Sequence, residues 1–230
     1  MRGRGARATI AVAWIVVIVG LLALGTWQVQ RLAWKRSLIA QVEARLAARP
    51  VPAPVSAGPG DAYRRVIATG VFERASDSFV QASTVRGPGW WVMTPLHISD
   101  GRTVLINRGY VAARRSPPPL PGPVSVSGLL RLTEPGGGFL RSNDPATDRW
   151  YSRDVAEISA RRRLGATAPY FIDADASSTT GQGPLGGLTV IRFPNNHLAY
   201  AITWFILAIM AGGGFILWNK AARRGVDADE

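Results

Sequence analysis

The chain has 230 residues, 47% of them hydrophobic, and a formal net charge of +12, enough for one globular domain plus accessories. It has no cysteine, which excludes disulfides, thiolate metal sites, the Cys-x-x-Cys-His haem-attachment motif and cysteine catalysis. Arginine outnumbers lysine 25 to 2, a bias that fits a GC-rich bacterial genome.

Residues 1–7, MRGRGAR, form a short basic terminus. From Ala8 to Trp27 there is no charge. A run of about twenty apolar residues crosses a hydrocarbon core of roughly 30 Å as a helix. It lacks the polar face of a soluble core helix. It also exceeds the roughly 7–15 residues of a signal-peptide core, so a retained transmembrane helix over 8–27 is expected.

Residues 28–48 continue it as an amphipathic helix, with Val29, Leu32, Leu38, Ile39, Val42 and Leu46 at helical spacing. Trp27, Arg31, Trp34 and Lys35 share one face here. Two readings fit them. They anchor the chain in lipid head groups, or Arg31 and Lys35 pair with carboxylates between flat tryptophan walls. The stretch RPVPAPVSAGPG ends the helix, because proline cannot continue it. Residues 49–60 therefore read as a linker.

Residues 61–194 change to short β-rich runs between turn signals. The expected strands are YRRVIATGVF, DSFVQASTVR, GWWVMTPLHI, TVLINRGYV, PVSVSGLLRL, PYFIDAD and GGLTVIRF. SDGR joins the third to the fourth as a hairpin turn, with His97 as a solvated strand-end residue beside it. RSPPPLPGP is a proline-stiffened loop, SRDVAEISARRRLG a short helix, and SSTTGQGPLGG a flexible loop. Asp173 and Asp175 alternate on FIDAD and are expected to meet arginines rather than a metal. No GxSxG, HExxH or phosphate-binding glycine loop is present, so no enzyme is expected.

A second uncharged run, Leu198 to Trp218, supplies a second transmembrane helix over 195–218, with residues 219–230 as a tail. Asn196 stands as its N-cap. His197, Tyr200, Ala201 and Trp204 follow at i, i+3, i+4 and i+7, on one face. Two readings again fit: an interfacial aromatic belt, or an imidazole that ligates haem iron while aromatics flank the porphyrin. Ala208 and Gly212 offer small-xxx-small spacing for close helix packing.

Arg2, Arg4 and Arg7 precede the first span, and Lys220, Arg223 and Arg224 follow the second. The positive-inside rule places both ends in the cytoplasm and residues 28–197 outside. That segment holds 21 Lys+Arg and 12 Asp+Glu, a net of +9, but long loops translocate largely regardless of charge. External placement argues against nucleic acid and for membrane lipids or acidic partners. The expected class is membrane α+β: a two-helix transmembrane hairpin carrying an extracytoplasmic, mainly antiparallel β domain of about seven strands and one or two short helices.

Taken as a pair, the two membrane-mouth motifs are identifiable. LGTWQVQRLAWK resembles a family pattern of Gly-x-Trp-Gln, then Arg, then Trp-Lys, and NNHLAYAITWF resembles that family's opening of the second span. YRRVIATGVF, VMTPLHISDGRTVLINRGYV, VSVSGLLR and PYFID fall between them in the family's order. The chain resembles a bacterial member of the Surfeit-locus cytochrome oxidase assembly family, the relatives of yeast Shy proteins, from about Leu24 to Phe205. It departs at Tyr110, where many relatives carry Trp. The resemblance implies a two-span cell-membrane protein that promotes assembly of haem a-containing cytochrome c oxidase and is not an enzyme. It implies transient haem a binding, with His197 as the axial iron ligand and Trp27 as the family's first-mouth tryptophan. Arg31 and Lys35 would then meet the propionates, and Tyr200 and Trp204 would line the ring. Oxidase subunit I or its assembly intermediate, and haem a synthase, are the implied partners. A scaffold that holds an oxidase intermediate without binding haem is the alternative.

Overall fold

The computed structural model describes residues 2–138, 140–176, 183–189, 191 and 193–227. The chain forms two compact units: Met1–Ala40 with Arg192–Glu230, and Gln41–Ile191.

The first unit is helical. Helix α1 runs unbroken over Arg2–Ala47, so its part up to Ala40 belongs here. The mouth segment continues the span with no break, as its helix-forming residues predict. Helix α3 covers His197–Asp227. Both are long and apolar enough to cross a membrane. Their apolar side chains stand largely exposed, Val12, Val16, Ile209 and Leu217 among them. A soluble helix would bury such residues; a bilayer is the solvent that suits them.

The second unit holds strands β1 (Val51–Pro52), β2 (Arg65–Phe72), β3 (Ser78–Thr84), β4 (Gly87–Ile98), β5 (Thr103–Val111), β6 (Pro123–Leu132) and β7 (Thr167–Ala174). A 3-10 turn lies at Pro59–Asp61, and helix α2 covers Val155–Arg162. The sheet order is β1-β2-β6-β7-β5-β4-β3, and β2 also pairs with β4. That last pairing, Gly70–Phe72 against Leu96–Ile98, closes β2, β6, β7, β5 and β4 into a small barrel. Closure covers part of the β2 and β4 edges, and β1 and β3 pair along the parts it leaves open. Pairing is antiparallel except β1 with β2 and β5 with β7.

All five barrel strands fill one interior, with Val66, Ala68, Leu96, Val104, Ile106, Val126, Leu130, Tyr170 and Ile172 buried together. Alternate residues of β5 and β7, Leu105 and Phe171, face the other way. They pack with Val80, Met93, Trp150, Val155 and Ile158 beneath α2. Strands buried on both faces read as continuous apolar runs rather than alternation, which is why TVLIN and YFI look as they do. Helix α2 begins at Asp154, whose side chain accepts the Glu157 N–H, and ends at Arg163 in the left-handed region, φ 54°. Such a cap and stop fix a short helix.

Two expectations are corrected. Among its described residues GGLTVIRF contributes no strand: residues 186–189 lie outside the sheet, Leu185 makes a single bridge to Tyr110, and positions 190 and 192 fall outside the described residues. The linker instead contributes β1, whose Val51 and Pro52 sit parallel to Val66 and Ile67. An extended proline-rich segment can serve as an edge strand because an edge needs fewer N–H donors. The loop expected over SSTTGQGPLGG lies mostly outside the described residues.

Candidate functional site

In the helical unit the contacts between α1 and α3 run in opposite directions along the two chains. Trp14 meets Gly214, where an added Cβ would lie 3.0 Å from its ring. Gly25 meets Phe205, with an added Cβ 2.7 Å from the ring. Gln28 meets His197. The helices are therefore antiparallel neighbours. Gly25 is buried because the Phe205 ring packs against its bare backbone. Ala201 and Ala208 are buried too, but at Gly212 an added Cβ would touch nothing. Of the small-xxx-small pair, Ala208 faces packed structure and Gly212 does not.

His197 is the first residue of α3. Asn196 precedes it, and its carbonyl accepts the Tyr200 N–H at 3.2 Å, opening the helical ladder. The imidazole Nδ1 lies 2.7 Å from Gln28 Oε1. An amide oxygen only accepts, so Nδ1 carries a proton, and in the neutral ring the lone pair is then on Nε2. That is the state of a histidine ready to ligate a metal, with its second nitrogen fixed by a partner. Gln28 was not among the candidates from sequence. Its signal was there, in the Trp-Gln dipeptide of the first mouth motif, but only the fold shows which histidine it reaches. Next to it, Asn195 Oδ1 is buried with no hydrogen-bond partner, an orphaned acceptor two residues from the imidazole.

The other candidates stand as follows. Trp27 is 50% exposed and Tyr200 55% exposed; Trp204 and Lys35 are half-buried. Arg31 is exposed, with its guanidinium 4.5 Å from the centroid of the Trp34 ring. Among the described residues no carboxylate forms an ion pair with Arg31 or Lys35, so both cations are open to an anionic group. Helical phase sets these differences. Ala201, four residues after His197, takes the buried position, and Tyr200 is turned outward.

A haem fits this donor set in kind. It offers one imidazole with a free Nε2, exposed aromatic faces and two uncommitted cations. Among the described residues no cluster of three metal-ligating side chains exists, so any metal here would rest on His197 with ligands of its own.

In the β unit Asp173, Asp175 and His97 serve structure. Asp173 is 3% exposed. It accepts from Asn107 Nδ2 at 2.8 Å, Arg131 and Arg153 at 3.0 Å each, and Thr189 at 3.0 Å. Burial works against the Arg153 charge, but Asp173 and Glu134 more than offset it and raise its hold on the proton. Asp175 pairs with Arg65. Both aspartates of FIDAD thus meet arginines. His97, exposed at the end of β4, bridges Glu73 and Thr103 at 3.0 Å each.

Comparison with known proteins places these features in a group. The SURF1 family model matches residues 15–209. "Surfeit locus protein 1" of Rattus norvegicus is 36% identical, over 92% of this chain and 76% of the relative. The Homo sapiens protein of the same name is 35% identical, over 92% and 78%. A "SURF1-like protein" of Monosiga brevicollis is 33% identical, over 91% and 86%.

Proposed function

The chain belongs to the SURF1 family, and on that premise we propose that it is an assembly factor for haem a-containing cytochrome c oxidase. It holds haem a at the outer face of the membrane and gives it up to oxidase subunit I or an assembly intermediate. Haem a synthase is the source that fits such cargo. The protein lies in a bacterial cell membrane with both termini in the cytoplasm, and the β unit is extracytoplasmic. It catalyses no reaction.

One observation carries the haem reading: the hydrogen bond from His197 Nδ1 to Gln28 Oε1. When bound, haem a would supply an iron centre able to accept an imidazole nitrogen, and His197 would hold it. Gln28 selects the tautomer and fixes the ring plane; His197 offers Nε2. Arg31 and Lys35 attract the propionates. Trp27, Tyr200 and Trp204 provide flat apolar surface at head-group depth, where aromatic side chains are favoured. A single neutral ligand suits release better than a closed pair of histidines would.

The alternative, a membrane scaffold that binds no haem, is separated by one measurement. The protein is purified from cells that make haem a, and its visible spectrum is recorded. A haem a Soret band that co-purifies with the chain supports the carrier; its absence, with oxidase assembly still dependent on the chain, supports the scaffold.

A further inference from the structure

The β unit contains a cavity of about 320 Å³ that no step of haem handling uses. Its walls are apolar. Phe72 comes from β2, Ile106 from β5, and Val124 and Val126 from β6, while the loop at 117–120 and Pro184 contribute further walls. Three consecutive prolines, Pro117 to Pro119, stiffen that loop by fixing φ. A stiff wall does not collapse inward, so the space persists.

One charged group stands among these walls. Arg108 lines the cavity and is 8% exposed. Its Nη2 donates to the Pro117 carbonyl at 2.9 Å, and its guanidinium carbon lies 5.9 Å from the Phe72 ring centroid. Nη1 is buried and donates to nothing. Asp77 Oδ1, at 3.6 Å, attracts it without reaching hydrogen-bond distance; the same oxygen accepts from Thr94 Oγ1. Burial weakens the guanidinium's hold on its proton, and Asp77 opposes this only in part. Buried donors without an acceptor are rare in folded proteins and each asks for an explanation.

We propose that this cavity is a binding site for a small anionic amphiphile, a medium-chain carboxylic acid whose carboxylate pairs with the Arg108 guanidinium and whose chain lies along Phe72, Leu120 and Val124. Apolar walls with one well-placed polar group are the usual make-up of a small-molecule site. The space, on the order of ten water molecules, matches a medium chain and excludes a diacyl lipid or a porphyrin. A carboxylate is favoured over a neutral acceptor because its hydrogen bond to a guanidinium is charge-assisted. The site shares no residue with the membrane mouth, so its failure and that of the haem reading are distinguishable.

The test uses the full chain in lipid nanodiscs and a diazirine-bearing decanoate as photoprobe. After irradiation and digestion, label is expected on the peptides carrying Leu120, Val124 and Val126. Excess decanoate should cut that label about tenfold, and decanol, of equal length but uncharged, much less. Arg108→Gln should lower it to a similar degree. Val124→Trp, which fills the cavity and leaves Arg108 intact, should abolish it even if Arg108→Gln proves unstable. Label confined to α1 and α3, equal competition by decanol, or undiminished label in folded Val124→Trp would each overturn the proposal.

Discussion

A glutamine one position after a tryptophan decides what His197 can do. Without an acceptor at Nδ1 the neutral ring divides between two tautomers and rotates about its own side-chain bonds. With Gln28 Oε1 at 2.7 Å the ring has one tautomer and one orientation. Removing such an outer partner typically weakens metal affinity about 10–100-fold. Gln28→Leu should therefore lower haem retention by about tenfold or more, whereas Gln28→Glu, which keeps an acceptor, should retain most of it. A readout independent of haem exists, because the chain has only two histidines. Nitrogen NMR of the imidazoles should show His197 protonated at Nδ1 in the wild type and mixed in Gln28→Leu. An unchanged His197 signal in that variant would remove Gln28 from the account.

At the scale of elements, the barrel is held by its apolar interior and by one buried ionic node. Asp173, on β7, binds Arg131 of β6 and Arg153 just before α2, so it joins two strands and the approach to a helix. Replacing Asp173 with Ala leaves two largely buried guanidiniums with Glu134 as their remaining carboxylate partner, a change that costs up to about 3–5 kcal/mol. For a unit of this size that is roughly 6–20 °C in Tm. Thermal unfolding of the full chain followed through sheet circular dichroism should show the drop. A shift within error would mean that the node is solvated and adds little.

The elements also show what was legible beforehand. Six of seven strands, α2 and both long helices could be read from runs of apolar residues punctuated by Gly and Pro. Those signals are local, and local signals survive folding when packing agrees with them. GGLTVIRF has strand composition, yet among its described residues none lies in a strand, and composition cannot report which neighbour a segment meets. β1 is the converse case. Val51–Pro52 has poor strand propensity yet pairs because β2 leaves an edge beside it. Barrel closure through Gly70 was equally hidden, since it depends on a backbone approach so close that an added Cβ would lie 2.1 Å from the His97 carbonyl oxygen. At the mouth the histidine and the aromatic stripe were visible as patterns. The Gln28 contact, 169 residues away in sequence, was not.

For the whole molecule, the central expectation is an insertion geometry in which the helical unit crosses the bilayer and residues 41–191 lie on one side of it. The proposed orientation rests on Arg7 before the first span and Lys220, Arg223 and Arg224 after the second. A reporter fused after Arg224 should be active only when the reporter works in the cytoplasm. One inserted at Gly101, in an exposed turn that tolerates insertion, should be active only outside. A cytoplasmic signal from Gly101 would reverse the orientation and put His197 at the wrong face for the proposed transfer.

The claim that joins these scales is that His197 meets iron, and substitution of that one side chain tests it most directly. His197→Ala keeps a good helix former at the start of α3, so insertion and yield should be unchanged. Wild-type and His197→Ala protein are purified side by side from cells that make haem a, and haem a per chain is read from the visible spectrum. The account predicts a Soret band in the wild type and its loss in the variant at equal protein yield. A variant that purifies with the same haem spectrum as the wild type would contradict it.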